Sequence, residues 1–315
     1  MVEADRRGVQ LVDLLEQDLP PTHRASLRQL LAAGAVRLNG EVVLSSRRLR
    51  IGDVVQVAEV ASLPARRTAA RPLPEVCFES ATALVVAKPA GMPVVPDRSG
   101  TDLGLHGLLE SLRPGADLRV VHRLDRDTSG CLLLAKGLEA ARHFDLQFRD
   151  TMVRKTYLAV VHGVPGPEAF PIEAWLGPDP KRPGKVVTGA AGEDGFKEAC
   201  TEGAVRQALG RHALVELRPR TGRSHQLRAH LRSIGHPIVG DADYGGEPLL
   251  LSELKRGYKL RAGVAERPML GRMFLHATAL AFTDLDGTPV AVEIALPDDL
   301  ATALQKLERF DRGRR

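Results

Sequence analysis

The chain has 315 residues, 43% of them hydrophobic and 26% charged, with a formal net charge of +5. That length supports a sizeable core and two domains. No run of about 20 apolar residues occurs, which excludes a transmembrane helix, and the charged segment Met1–Arg7 has no apolar signal region behind it. Three widely spaced cysteines, Cys77, Cys131 and Cys200, make neither a disulfide framework nor a zinc knuckle, so the chain reads as cytoplasmic and reducing. Residues 1 to 74 hold 11 arginines and no lysine, a bias that points to a polyanion partner such as nucleic acid.

The first 60 residues read as a small separate domain. Val9, Leu11, Leu14 and Leu15 predict a helix that stops at Pro20-Pro21. Leu27, Leu30 and Leu31 predict a second, ending near Gly34. Two alternating runs, residues 35 to 38 and 41 to 44, flank Asn39-Gly40, a strong hairpin signal. Gly52-Asp53 then turns into a strand over residues 54 to 57. Arg24, Arg28 and Arg37 decorate this unit. Helix, helix, GAVRLNGEVV and IGDVVQV together resemble the S4-type RNA-binding domain, which implies that these arginines contact RNA. Residues 61 to 75, with three prolines and no apolar period, read as a linker.

A larger domain follows over residues 76 to 315. Leu84–Ala87 predicts a buried strand, ending at Lys88, a residue able to reach a phosphate. Two apolar runs, Leu118–Val121 and Cys131–Ala135, enclose the polar loop His122-Arg123-Leu124-Asp125-Arg126-Asp127-Thr128-Ser129-Gly130. A charged loop held between core strands is a rigid platform for chemistry. Leu138–Phe148 predicts a helix and Lys155–Gly163 a strand carrying Tyr157. Residues 177 to 195, rich in Gly, Pro and Lys, read as a mobile basic loop. Beyond two further strands, Thr221-Gly222-Arg223 makes a turn and Ser224 an N-cap for a basic helix ending at Gly235. On that helix Arg228 and Arg232 share one face, Gln226 and His230 another. Late strands at Phe274–Ala277 and Val290–Leu296 precede an amphipathic helix marked by Leu300, Leu304, Leu307 and Phe310. Frequent strands without tight βαβ alternation predict an α+β fold with a mixed, mainly antiparallel sheet and flanking helices.

The polar loop invites several chemistries. Asp125-x-Asp127-x-Ser129-Gly130 matches the start of a calcium loop, but Lys136 stands where a bidentate glutamate is needed. A kinase catalytic loop fails on order and spacing, and the zinc-deaminase pattern is absent. What is left is a lone acid beside hydroxyls and arginines. Such an acid serves as nucleophile or base when a cation, here Arg223 or Arg123, keeps it ionised in a partly dry cleft.

His122-Arg123-Leu124-Asp125 with Thr128-Ser129-Gly130 resembles the signature of the RluA-type RNA pseudouridine synthases. Three more segments match in order: Lys88-Pro89-Ala90-Gly91-Met92, Lys155-Thr156-Tyr157, and Thr221-Gly222-Arg223-Ser224-His225-Gln226-Leu227-Arg228. The resemblance implies conversion of selected uridines in RNA to pseudouridine by a monomer, with neither cofactor nor metal. It puts Asp125 on the family's essential aspartate, Tyr157 on the tyrosine that stacks on the base, and Arg223 on the basic residue that pairs with the aspartate. Arg123 falls on the arginine that fills the gap left by the flipped nucleotide. Phosphates are expected near Arg228, Arg232 and the 177–195 loop. Ribosomal RNA is the favoured substrate, with transfer RNA the alternative. The competing reading is an RNA-binding or RNA-chaperone module on the same fold without catalysis.

Overall fold

The computed structural model describes residues 11, 14–15, 36–43, 49–50, 52–57, 73–96, 102–255, 258 and 266–312. The chain divides into two compact units, residues 1–73 with 93–113, and residues 74–92 with 114–315. Arg24, Arg28 and the second expected helix lie outside the described residues. Among those residues no helix is long and apolar enough to cross a membrane.

In the first unit, β1 (Val36–Leu38) pairs antiparallel with β2 (Glu41–Val42) and β3 (Val55–Val57). The Asn39-Gly40 turn forms as expected, with both residues at positive φ. Asn39 adds a clasp, its Oδ1 accepting from the Val54 N–H at 2.8 Å and its Nδ2 donating to Asp53 at 2.9 Å. Leu11, Leu14 and Leu15 bury with Val36, Leu38, Val43 and Leu49. Helix α1 (Gly104–Leu112) belongs to the same unit, its first N–H groups donating to the Pro93 and Val94 carbonyls.

The second unit is built on an 11-stranded sheet. Its strands are β4 (Glu75–Glu79), β5 (Ala83–Lys88), β6 (Leu118–Val120), β7 (Ser129–Lys136), β8 (Arg154–His162), β9 (Ala169–Pro178), β10 (Val186–Gly189), β11 (Lys197–Leu209), β12 (His212–Pro219), β13 (Leu275–Thr283) and β14 (Pro289–Glu293). The order is β10-β9-β11-β12-β8-β13-β7-β5-β4, with β14 on β13 and β6 on β7. Every pairing is antiparallel except β13 with β7. The α+β, mainly antiparallel architecture is the one expected.

Three helices cover this sheet. Residues Ala140, Ala141 and Phe144 of α2 (Leu138–Arg149) pack on Val85, Leu133 and Phe282. Leu227 and Leu231 of α3 (Gln226–Ser233) pack on Ala159, Val161 and Val215. Following the short α4 (Leu251–Leu254), Leu300, Ala303 and Leu307 of α5 (Asp298–Arg312) bury against Val160, on the face opposite Ala159 and Val161.

Two expectations are corrected. Residues 177–195 are not simply a loop, because Val186–Gly189 forms β10 against β9. The basic helix begins at Gln226, not directly after Ser224, because His225 adopts a left-handed conformation (φ 50°). No side chain caps this helix; the Gln226 Oε1 instead accepts from the Arg223 N–H of the preceding turn at 3.0 Å.

The parallel seam fixes the polar loop. Lys88, Gly130, Ala277 and Tyr157 lie in one row across β5, β7, β13 and β8. At Gly130 (φ +129°) a Cβ would overlap the Ala277 backbone, so the strands close only over glycine. Beside it the buried Ser129 Oγ and His276 Nδ1 lie 2.9 Å apart. Replacing Gly130 by alanine should cost about 3 kcal/mol or more, through strain and strand separation. Urea unfolding of Gly130→Ala against the parent chain checks this; an unchanged midpoint would contradict it.

Candidate active site

Asp125 sits in the connection between β6 and β7. Leu124 is buried beneath it and Thr128 and Ser129 are buried behind it. The Asp125 carbonyl accepts from the Thr128 N–H at 3.1 Å, closing the loop as a turn. Two cationic side chains pin the loop from β5 and its following turn. Arg126 Nε donates to the Gly91 carbonyl at 3.0 Å. Lys88, only 1% exposed, donates to the carbonyls of Pro89 (2.9 Å), Met92 (2.7 Å) and Arg126 (3.0 Å). All three of its ammonium hydrogens are used. Lys88 is therefore not a phosphate contact, as the sequence suggested, but a brace of the Asp125 loop. Burial pulls its pKa down to about 7, against the opposing charges of Asp127 and Asp125.

The cation that meets the Asp125 carboxylate is Arg228, on α3. Its Nη1 lies 3.4 Å from Asp125 Oδ2. Arg228 is 8% exposed and Asp241 2%. Arg228 grips Asp241 with two bonds of 2.7 Å, from Nε and Nη2, and reaches Asp243 at 3.2 Å. Its guanidinium also stacks over the buried Tyr244 ring, 4.7 Å from the centroid. Burial alone would lower the Arg228 pKa, but the bonds to Asp241 and the charges of Asp241 and Asp125 raise it overall.

The expected pairing of Arg223 with Asp125 is corrected here. Arg223 is exposed and its Nε donates to the Glu198 carbonyl at 3.0 Å. Starting the helix after a left-handed His225 puts Arg228, five residues after Arg223, beside Asp125. The same geometry removes Arg228 from the expected phosphate surface, since three carboxylates already surround it. Arg232 and Arg123 are exposed, and so is Arg37 in the first unit. Sequence reasoning missed Asp241, Asp243 and Tyr244. Two acids and an aromatic in Gly240-Asp241-Ala242-Asp243-Tyr244-Gly245, right after a basic helix, were the available signal.

Tyr157 lies next to the Asp125 loop in the sheet row, packed partly against the core beneath α3. Burial, then the charges of Asp125 and Cys131, push its phenol well above the ordinary range, so the hydroxyl stays neutral. The polar residues of the TGR segment are architectural. Gln226 Oε1 accepts from the Thr221 hydroxyl (2.7 Å) and the Arg223 N–H (3.0 Å). Its Nε2 donates to the Cys200 carbonyl and to Thr201 Oγ1, both at 3.0 Å. Lys185 of the β9–β10 hairpin forms an ion pair with Asp243, and Arg182 Nη1 donates to the Asp243 carbonyl at 2.8 Å. That hairpin closes over the acidic loop.

Residues 82–233 match the family model for RNA pseudouridylate synthase. The chain is 32% identical to the ribosomal large subunit pseudouridine synthase C of Escherichia coli K12, over 97% of this chain and 95% of that one. The chain belongs to the RNA pseudouridylate synthase family. The Vibrio cholerae relative of the same name is 31% identical over 89% of this chain and 87% of its own. Among solved structures, human RNA pseudouridylate synthase domain containing 4 superposes with a TM-score of 0.56 at 27% identity, over 74% of this chain and 92% of that one. This RNA pseudouridylate synthase is thus an enzyme of RNA, and its sheet is the fold of its relatives.

Three histidines around the site are held neutral. His122 accepts the Leu133 N–H on Nε2 at 2.9 Å and stacks on Phe148, and burial with the nearby Lys155 charge lowers its pKa to about 3. Burial lowers His230 and His276 to about 4. Each takes up a proton more readily unfolded than folded, so stability is complete above about pH 6.5 and is lost as pH falls toward 4. The loss should reach about 1.4 kcal/mol per pH unit for each histidine fully engaged. Denaturant unfolding at pH 7 and pH 5 measures this, and equal stabilities at the two values would contradict the neutral assignments.

Proposed function

We propose that this enzyme isomerises selected uridines of large-subunit ribosomal RNA to pseudouridine, with Asp125 acting on a flipped-out nucleotide and without a cofactor. The observation that carries the reading is the partly exposed Asp125 carboxylate, held by a buried arginine and flanked by a neutral tyrosine. The reaction needs a group that promotes cleavage of the bond between uracil N1 and ribose C1′. The detached base then rotates and rejoins through C5; C5 gives up its hydrogen and N1 gains one, so the product is an isomer. Asp125 either attacks the substrate or removes a sugar proton, and both routes need an ionised carboxylate beside a fixed cation. Tyr157 offers a face for stacking and a hydroxyl that donates, not a phenolate.

The target must leave its stack before Asp125 can reach it. Arg123, exposed two residues before Asp125, suits the vacated gap, and Arg232 suits the flanking phosphates. The N-terminal unit, with Arg37 exposed on β1, fits an S4-like RNA-binding domain. The ribosomal substrate follows the name of the relatives that match over nearly the whole chain.

The test is tritium release from in vitro transcribed large-subunit ribosomal RNA carrying tritium at uridine C5. The parent chain should release tritium, Asp125→Asn should release none above background, and Tyr157→Phe should slow release about 100-fold. Release that survives the loss of Asp125 would overturn the chemistry. Binding without release by the parent chain would favour an RNA-binding role.

A further inference from the structure

We propose that Lys155 is a backbone-phosphate anchor for the RNA strand at the Asp125 cleft, a cation with no anionic partner among the described residues. The inference rests on the reading that RNA enters at Asp125.

Lys155 lies on β8 two residues before Tyr157, so the two side chains share a face of the sheet. Its stem is half-buried and its Nζ makes one hydrogen bond, to the Thr221 carbonyl at 3.3 Å. Most cations around the cleft are committed. Arg228 holds Asp241, Asp243 and Asp125, Lys88 is spent on three carbonyls, Lys185 on Asp243 and Arg220 on Glu202. Lys155 has a single carbonyl and no carboxylate partner among the described residues. Nothing offsets its desolvation, and burial lowers its pKa to about 8. A lysine of merely structural purpose gains little from such a place, because one carbonyl leaves two ammonium hydrogens unused.

Gly222 follows Thr221 and adds no side chain beside the ammonium, where a Cβ would meet Lys155 Nζ at 3.9 Å. His122 is neutral beside it, and both residues next to this junction in the chain, Arg123 and Arg223, are exposed cations. A phosphodiester seated at Lys155 would receive the two free hydrogens as charge-assisted bonds and would restore the depressed pKa.

The experiment measures tritium release kinetics on in vitro transcribed large-subunit ribosomal RNA over a range of salt, for the parent chain, Lys155→Met and Lys155→Arg. Lys155→Met should raise KM about tenfold with kcat within about twofold. Its log–log slope of kcat/KM against salt should be shallower by about 0.7 to 0.9. Lys155→Arg should restore both. In the parent chain KM should rise as pH climbs through about 8, and in Lys155→Arg it should not. A fall in kcat with parental KM and salt slope would overturn the proposal, leaving Lys155 as a prop of the TGR turn. If Lys155→Met does not fold, as thermal melting would reveal, the pH comparison between the parent chain and Lys155→Arg decides. If the parent chain releases no tritium, the proposed reaction fails, and the same salt slopes read by filter binding of that RNA still test Lys155.

Discussion

One guanidinium organises the cleft. Arg228 is bonded twice to the buried Asp241, touches Asp243 and Asp125, and sits over the Tyr244 ring. Removing an arginine and an aspartate from water is costly, and near-ideal bidentate geometry is what offsets the cost. The short bonds go to Asp241, whereas the contact to Asp125 is longer, at 3.4 Å. The pair Arg228–Asp241 is thus the fixed body, and Asp125 borrows its positive edge while staying partly exposed to a substrate. Such an arrangement sets a cation beside the acid without locking its lone pairs into the protein.

The sheet supplies the other half of the constraint. A parallel contact between β7 and β13 in an otherwise antiparallel sheet brings the polar loop beside Tyr157, and the contact closes only because Gly130 has no side chain. Lys88 then ties the loop to the turn after β5 through three carbonyls. Packing thus fixes the backbone of the loop, and electrostatics fixes the carboxylate. The histidines nearby take no charge in this scheme, and their burial makes the framework sensitive to acid.

The chain shows where sequence reasoning reaches and where it stops. The fold class, the hairpin at Asn39-Gly40 and the polar loop were legible, because apolar alternation and turn residues are local signals. The family was legible because four motifs keep their order. Arg223 and Arg228 share one segment, and choosing between them needs the rotation of α3, which a left-handed His225 sets. Lys88 looked free to reach a phosphate, since the Arg126 carbonyl that occupies it is 38 residues away. The acids of the 240–245 loop carried no motif; their meaning comes only from the helix they face. Arg24 and Arg28 were named from sequence and lie outside the described residues.

Arg228 presents Asp125 because Asp241 holds Arg228. Asp241 is buried and bonds the guanidinium, not the RNA, so its loss should act through Asp125 alone. The measurement is kcat and KM for pseudouridine formation by a folded Asp241→Asn variant. In that variant kcat should fall at least about tenfold with KM within about twofold of the parent chain. A parental kcat would contradict that role of Asp241.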